Sequence, residues 1–325
     1  MTVLVIADQH DKHADHVIEK LVQRAVPVFR LDLDVQSLEG TTVLYRDGIW
    51  KFRAGNASAT ADEIKCVWCR RSTVSLDSDR QIDTTNGFRL WRAEWNRVLF
   101  GFYNALSKAK WLNHIRDATL ADNKYHQYTV ARSCGLTHPA VISSNDKDEL
   151  ISFANAHGDV ALKFMSQELY IAEDGSAAGL YVNKIAAGHL NDFSDMGENP
   201  VTLQPYVSKK YEVRYTYVDG KHLVCKIDSQ KSAKSSVDWR RYDVANTPHE
   251  AMTPPAHISE KVTSFMKRLN LSFGALDFIV SEDDEWWFLE VNTSGQWLWI
   301  EDLSGLEISH AVAVSLEKLN QGEWA

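Results

Sequence analysis

The chain of 325 residues reads as an α/β protein of several lobes, and three observations carry that reading. It opens on a strand–helix–strand unit, apolar hairpins recur through its second half, and single charged residues interrupt several apolar strands. Hydrophobic residues make up 44% of the chain, enough for roughly two domains or one domain with lobes. A formal net charge of −9 lacks the basic surface that displaces counterions from nucleic acid, so no nucleic-acid partner is expected. No apolar run approaches the roughly 20 residues of a membrane span, so no membrane partner is expected either. The four cysteines are no disulfide scaffold, and Met1 to Asp8 has no basic flank of a signal peptide. A cytoplasmic protein is the expectation.

Val3–Ile6 forms the first strand. From His16 to Val26, apolar residues at Val17, Ile18, Leu21, Val22 and Ala25 have helical spacing, which Pro27 ends before a strand at Val28–Leu31. Asp47-Gly48 between Thr42–Tyr45 and Ile49–Phe52 is a hairpin signal. Cys66–Cys69 is a short strand entering Arg70-Arg71, and a helix from about Gly87 to Ser107 leads to a strand at Trp111–Asn113. These elements make a first lobe of residues 1–113. Residues 114–201 make a second, with a helix from about Thr119 to Cys134, a strand at Ala140–Ile142 and a helix from Asn145 or Asp146 to Ala156. A strand at Val160–Phe164 carries Lys163, and a hairpin turns at Glu173–Gly175. Residues 202–325 make the third. Strands Tyr211–Val218 and His222–Ile227 flank Asp219-Gly220, and Asp228 to Asn246 reads as a long ordered loop. A helix from about Ser259 to Leu269 precedes a hairpin of Ala275–Val280 and Trp286–Val291.

That last hairpin carries the strongest chemical signal. Pairing Ser281 with Trp286 sets Asp277 opposite Glu290, and Asn292 shares a face with Glu290. Both acids interrupt apolar runs, where a carboxylate needs a partner or a metal. Oxygen donors of this kind suit Mg²⁺ held together with substrate phosphates. Lys163, inside an apolar strand, likewise wants an anion, and Lys124 gains phosphate-binding meaning only beside that clamp. Neither a P-loop nor a dinucleotide fingerprint occurs.

In order, Lys124, Lys163, Gln204-Pro205-Tyr206-Val207, Arg214, Asp277 and Glu290-Val291-Asn292 resemble the ATP-grasp fold across the second and third lobes. The first lobe then stands as a pre-ATP-grasp α/β domain. Within that superfamily, further segments are similar to the ligases that macrocyclise ribosomal precursor peptides, the microviridin or graspetide type. They are Val67-Trp68-Cys69-Arg70-Arg71, Leu112-Asn113, Asn123-Lys124, Asp238-Trp239-Arg240-Arg241 and the run from Asn292 to Glu301. The chain departs from the pattern in three places. Met165 to Ile171 lacks a glycine-rich phosphate loop, Cys69 stands where an aromatic is common, and Thr293 where proline is.

The resemblance implies ATP and Mg²⁺ as cofactors, and ligation in which a carboxylate takes the γ-phosphoryl group and a nucleophile then displaces phosphate. It places Lys124 and Lys163 on the ATP phosphates, Gln204, Tyr206 and Val207 at a hinge that meets adenine through backbone groups, and Asp277, Glu290 and Asn292 on Mg²⁺. It implies a precursor peptide, leader and core, as partner, and a homodimer. Arg214 and Arg240 have the planar geometry for the γ-phosphate and acyl phosphate. Asp238 serves to orient the neighbouring arginine, or else accepts the proton of an attacking hydroxyl. Glu212 either holds a ribose hydroxyl or is an exposed acid on a strand. Arg70 and Arg71 either meet anionic substrate at the lobe interface or form an interdomain salt bridge. The alternative enzyme is a ligase for a small amino-acid substrate of the glutamate-adding type, and the alternative class is a nucleotide-binding module without catalysis.

Other features read as structural. Cys66 and Cys69 face opposite ways on a strand, Cys134 packs beside a helix stop, and Trp297 and Trp299 pack rather than bind peptide. His10, His13 and His16 fall in a solvated loop and helix start.

Overall fold

Alternation along the first strand sets both layers of the N-terminal sheet. The computed structural model describes residues 1–74, 86–163, 165, 170–171, 177–178, 183–186, 198–231 and 247–323. The first segment runs β1 (Thr2–Ala7), α1 (Lys12–Gln23), β2 (Val28–Asp32), α2 (Val35–Glu39), β3 (Thr41–Arg46), β4 (Ile49–Ala54), β5 (Ala57–Thr60), β6 (Ile64–Cys69), α3 (Asn86–Ala105) and β7 (Lys110–Trp111). The parallel order is β2-β1-β6-β7. Val3, Val5 and Ala7 pack with α1, whereas Leu4 and Ile6 pack with α3. Asp11 caps α1 by accepting from the backbone N–H groups of His13 and Ala14 at 3.0 and 3.2 Å. The β3–β4 turn sits at Asp47-Gly48 with φ of 52° and 85°, the left-handed pair a tight hairpin requires.

The first two segments correct the sequence reading in three places. The second contains α4 (Ile115–Ala121), α5 (Lys124–Ser133), β8 (Ile142–Ser144), α6 (Lys147–His157), β9 (Val160–Lys163), β10 (Tyr170–Ile171), β11 (Ala177–Ala178), β12 (Asn183–Ile185) and β13 (Val201–Pro205). The helix expected from Thr119 to Cys134 is two helices, because Asn123 accepts from His126 N–H at 3.1 Å and starts a new one. That break makes Lys124 the first residue of α5. The strand expected at Ala140–Ile142 forms two residues later, where β13 supplies hydrogen-bonding partners for Ile142 to Ser144. The strand expected at Trp111–Asn113 ends at Trp111, and Asn113 instead bridges Leu271. The hairpin around Glu173–Gly175 pairs Tyr170 with Ala178, while its turn lies outside the described residues. The antiparallel order is β12-β9-β13-β8, with Leu150, Ala154, Val160 and Leu203 as its core.

The third segment runs β14 (Tyr211–Val218), β15 (Lys221–Ile227), β16 (His249–Met252), α7 (Ala256–Arg268), β17 (Phe273–Val280), β18 (Trp286–Asn292), α8 (Leu298–Ser304) and α9 (Ile308–Gln321). Its sheet is antiparallel in the order β16-β15-β14-β17-β18. The expected pairing of Ser281 with Trp286 is off by one, since Trp286 faces Val280. A bulge between Asp277 and Phe278 absorbs that residue and returns Asp277 to its place opposite Glu290. The loop expected over Asp228–Asn246 is described only as far as residue 231. Helix α9 folds back onto the first sheet, where Val312 and Leu316 share a core with Val3, Val17, Trp68 and Trp297. Among the described residues, no helix is long and apolar enough to cross a membrane.

Candidate active site

Strand register assembles the site. Arg214 on β14 pairs with Asp277 on β17, which pairs with Glu290 on β18, so three charged residues form one file across adjacent strands. Arg214 Nη1 donates to both Asp277 oxygens at 2.8 and 2.9 Å. Lys124 Nζ, from α5, stands 2.8 Å from Glu290 Oε2. The file therefore runs positive, negative, negative, positive. Each carboxylate is offset by its own cation, which lets two acids sit side by side with Asp277 only 8% exposed. The Asn292 side-chain amide lies 3.5 Å from Asp277 Oδ2.

Two amide side chains hold the file in place, and the sequence reading gave neither this task. Gln127, 1% exposed on α5, donates to Val291 O at 2.9 Å and to Ala121 O at 2.7 Å, and accepts from Val291 N–H at 2.9 Å. Val291 lies between Glu290 and Asn292 on an edge strand, so Gln127 acts as the missing neighbouring strand. Asn113 donates to Phe273 O and Thr293 O at 2.8 and 3.1 Å, and accepts from Ser272 and Phe273 N–H at 2.9 and 3.0 Å. It anchors both ends of the hairpin bearing the acids. A buried amide at each place was the only available signal, and sequence alone does not reveal burial.

Arg214 is seated from a third side. Its Nη2 donates to Gln296 O at 3.0 Å, and a Cβ built on Gly295 would meet Ala275 Cβ at 2.5 Å and Arg214 Nη2 at 3.2 Å. Only glycine leaves room there.

The residues expected around the nucleotide are spread over β9, β13, the segment that follows β13, and β14. Lys163 ends β9 half-buried, opposite Thr202. Gln204 is buried and donates to Tyr128 OH at 3.1 Å, while burial and then Glu290 push Tyr128 up to about 12. Tyr206 N–H is committed to Asp159 O at 2.8 Å, so a base docked there must use Val207 or the carbonyl groups. Lys184 Nζ lies 4.4 Å from the Tyr206 ring centroid. Glu212 is buried and ion-paired with Lys209, not an exposed strand acid. Asp238, Arg240 and Arg241 lie outside the described residues.

The N-terminal candidates separate. Arg71 is exposed, 3.7 Å from Asp8. The Arg70 side chain is buried, with Nε 2.5 Å from Asp11 Oδ2, an ion pair within its own lobe. Across the lobe boundary it meets a ring instead, with its guanidinium 5.0 Å from the Trp297 centroid. Burial would raise Asp11, but Arg70 holds it below the usual carboxylate range. Trp297 packs as expected and is fully buried, with its indole N–H donating to Ser309 Oγ at 2.9 Å. His13 is a correction: it is not solvated but packs on Trp297, with ring centroids 4.6 Å apart. Cys66 and Cys69 do face opposite cores, and burial pushes both thiols up, Cys69 to about 12.

The donor set fits Mg²⁺. No group of three His, Cys, Asp or Glu side chains suited to a metal occurs among the described residues, so a cation here rests on two carboxylates, one amide and phosphate oxygens. Hard oxygen donors in that number are what Mg²⁺ takes beside a nucleotide.

Residues 2–119 match the MvdD pre-ATP grasp domain family. The chain is similar over 98% of its length to an ATP-grasp ligase from Chryseobacterium gregarium associated with ribosomal peptide modification, at 25% identity and a TM-score of 0.86, covering 96% of that chain. The fold is ATP-grasp. Two macrocyclases of Microcystis aeruginosa share it. MdnC has a TM-score of 0.84 at 25% identity, over 98% of this chain and 99% of its own. MdnB has a TM-score of 0.77 at 26% identity, over 97% and 98%. No curated protein matches in sequence.

Proposed function

We propose that the protein is an ATP- and Mg²⁺-dependent carboxylate ligase. It activates Asp or Glu side chains of a ribosomally made precursor peptide as acyl phosphates, and joins them to Thr, Ser or Lys side chains as ω-ester or ω-amide macrocycles. The observation that carries this reading is the four-residue file, on a chain that aligns end to end with peptide-modifying ligases. The C. gregarium ligase was solved with ADP and a leader and core peptide, and MdnC with its precursor peptide. A precursor with leader and core is the substrate class we infer here.

The roles follow from charge. Asp277, Glu290 and Asn292 would hold Mg²⁺, which when bound neutralises phosphate oxygens and eases phosphoryl transfer. Lys124, now held by Glu290, turns to the phosphates, as does Lys163. The hinge of Gln204, Tyr206 and Val207 receives the adenine, and Glu212 the ribose. Arg214 and Arg240 stabilise charge on the transferring group, with Asp238 orienting its neighbour. Arg71, exposed beside Asp8, is the arginine we infer to meet the anionic peptide, with Arg70 held behind it by Asp11. We infer a reducing cytoplasm from four cysteines that form no disulfide framework, and light scattering tests the homodimer we infer.

The test is incubation with ATP, Mg²⁺ and a candidate precursor, read by mass spectrometry. Loss of one water per ring supports the reading. ATP consumption with a free amino acid, and no peptide dehydration, makes the small-substrate ligase correct instead.

A further inference from the structure

Strand β18 ends at Asn292, and the residue that follows it is tied down from outside the sheet. Thr293 is 5% exposed, and its hydroxyl donates to Asp122 Oδ1 at 2.8 Å. Asp122 is exposed and closes α4, with its backbone N–H on Ala118 O at 2.9 Å. Asn123 follows as the cap of α5, and Lys124 is the first residue of that helix. One side-chain bond across 171 positions thus joins the turn that presents Lys124 to the end of the strand that presents Asn292.

Packing alone does not call for this bond. Valine has the shape of threonine and would fill a buried site without desolvating a hydroxyl, and water serves an exposed carboxylate well. The placement of the pair is what sets it apart. Asn292 stands at the end of an edge strand, where backbone opens most readily. On one side of it, Gln127 holds both backbone groups of Val291 and also takes Ala121 O. On the other, Thr293 is held by Asp122 through its hydroxyl and by Asn113 through its carbonyl, at 3.1 Å. Ala121 and Asp122 are neighbours, so consecutive residues at the end of α4 are tied, one through Gln127 and one directly, to the residues on either side of Asn292. A hydrogen bond to an ionised carboxylate is roughly twice as strong as a neutral one, which suits a pin.

We propose that Asp122 and Thr293 are a positioning pair that sets the Asn292 side chain in register with Lys124, so that metal and phosphate are met together. The proposal rests on the ligase reading above, and each residue acts through Asn292. Without the pin, Lys124 keeps its place, because Gln127 and the Asn123 cap still hold α5. Asn292 meanwhile loses a support on one flank. The loss therefore falls on the metal-dependent part of nucleotide binding.

Titration calorimetry with ADP, once with Mg²⁺ and once with EDTA, separates the two parts, since the ratio of the affinities is the contribution of the metal. Thr293→Val and Asp122→Ala should each lower that ratio about tenfold, with the EDTA affinity within about twofold of the parent. Thr293→Ser keeps the hydroxyl and should hold the ratio within about twofold of the parent. The double variant of Asp122→Ala with Thr293→Val should be no worse than either single one, because both remove the same bond. A ratio unchanged in both single variants overturns the proposal. So does an equal fall in affinity with and without Mg²⁺, which marks the pair as structural, and so do losses that add in the double variant. Thermal melting checks each fold, and Asp122→Ala, at an exposed position, carries the test alone if Thr293→Val melts below the titration temperature. A parent enzyme that binds ADP with Mg²⁺ but dehydrates no peptide refutes the peptide substrate and leaves the pair to be judged by the ratio. A parent that binds no ADP, or binds it no better with Mg²⁺, refutes both.

Discussion

Replacing Gln127 by Leu should loosen the metal-ligand strand without touching a ligand. The native side chain is 1% exposed and makes bonds of 2.7, 2.9 and 2.9 Å to Ala121 O, Val291 O and Val291 N–H. β18 is an edge strand, so no neighbouring strand takes over those backbone groups. Leucine fills a similar volume and leaves three buried backbone groups without partners, at about 1–3 kcal/mol each if they stay dry. Partial relaxation toward water lowers the sum, and a net loss of about 2–5 kcal/mol is expected. Because Val291 separates Glu290 from Asn292, the same change should weaken Mg²⁺-nucleotide binding about tenfold, or about 1.4 kcal/mol. Urea unfolding gives the first quantity and titration calorimetry the second. Stability within about 0.5 kcal/mol of the parent, with unchanged affinity, would refute the idea that Gln127 stands in for a strand.

Further outcomes follow from the same geometry. Asp277→Asn and Glu290→Gln should each abolish ATP turnover while the fold survives, as circular dichroism would verify. Asp277→Ala is a poorer probe, because it strands the buried Arg214 guanidinium at about 3–5 kcal/mol. Gly295→Ala forces a contact of 2.5 Å onto Ala275 and should cost about 1–3 kcal/mol while displacing Arg214, seen as a lowered melting temperature together with slower ATP turnover. His13 is depressed to about 4 from 6.5, so between those values the unfolded chain binds more protons and stability falls as pH falls. The full shift corresponds to about 3 kcal/mol, and solvent screening reduces it to roughly half. His13→Phe should lose less stability than the parent between about pH 7 and pH 4.5 by urea midpoint; equal losses would show that the ring is not the titrating group.

Sequence patterns that depend on period were legible. Alternation in β17 and β18 placed Asp277 opposite Glu290, although the bulge that makes this true was invisible, because a bulge leaves no mark on polarity. The long helix was misread because Asn123 is an ordinary polar residue inside a helical pattern, and only its cap geometry reveals the break. Lys124 and Arg214 were singled out, but their partners were not, since pairing across strands and helices is a tertiary fact. His13 looked solvated because its burial comes from Trp297, a residue 284 positions further on. Gln127 and Asn113 escaped for the same reason. An amide in a sequence does not announce that it replaces a strand.

Helix α9 has a consequence for the order in which the chain folds during synthesis. One face of the first sheet, with Val3, Val5 and Cys66, shares its core with α9 as well as α1. That face stays partly bare on the ribosome until residues 308–321 have emerged, long after its own strands are made. Contacts of such sequence separation are slow to form, and an uncovered parallel sheet is open to chaperones or to other nascent chains in the meantime. A release of the first 113 residues alone would keep that face exposed permanently, so soluble expression of the isolated segment calls for α9 to be supplied in trans.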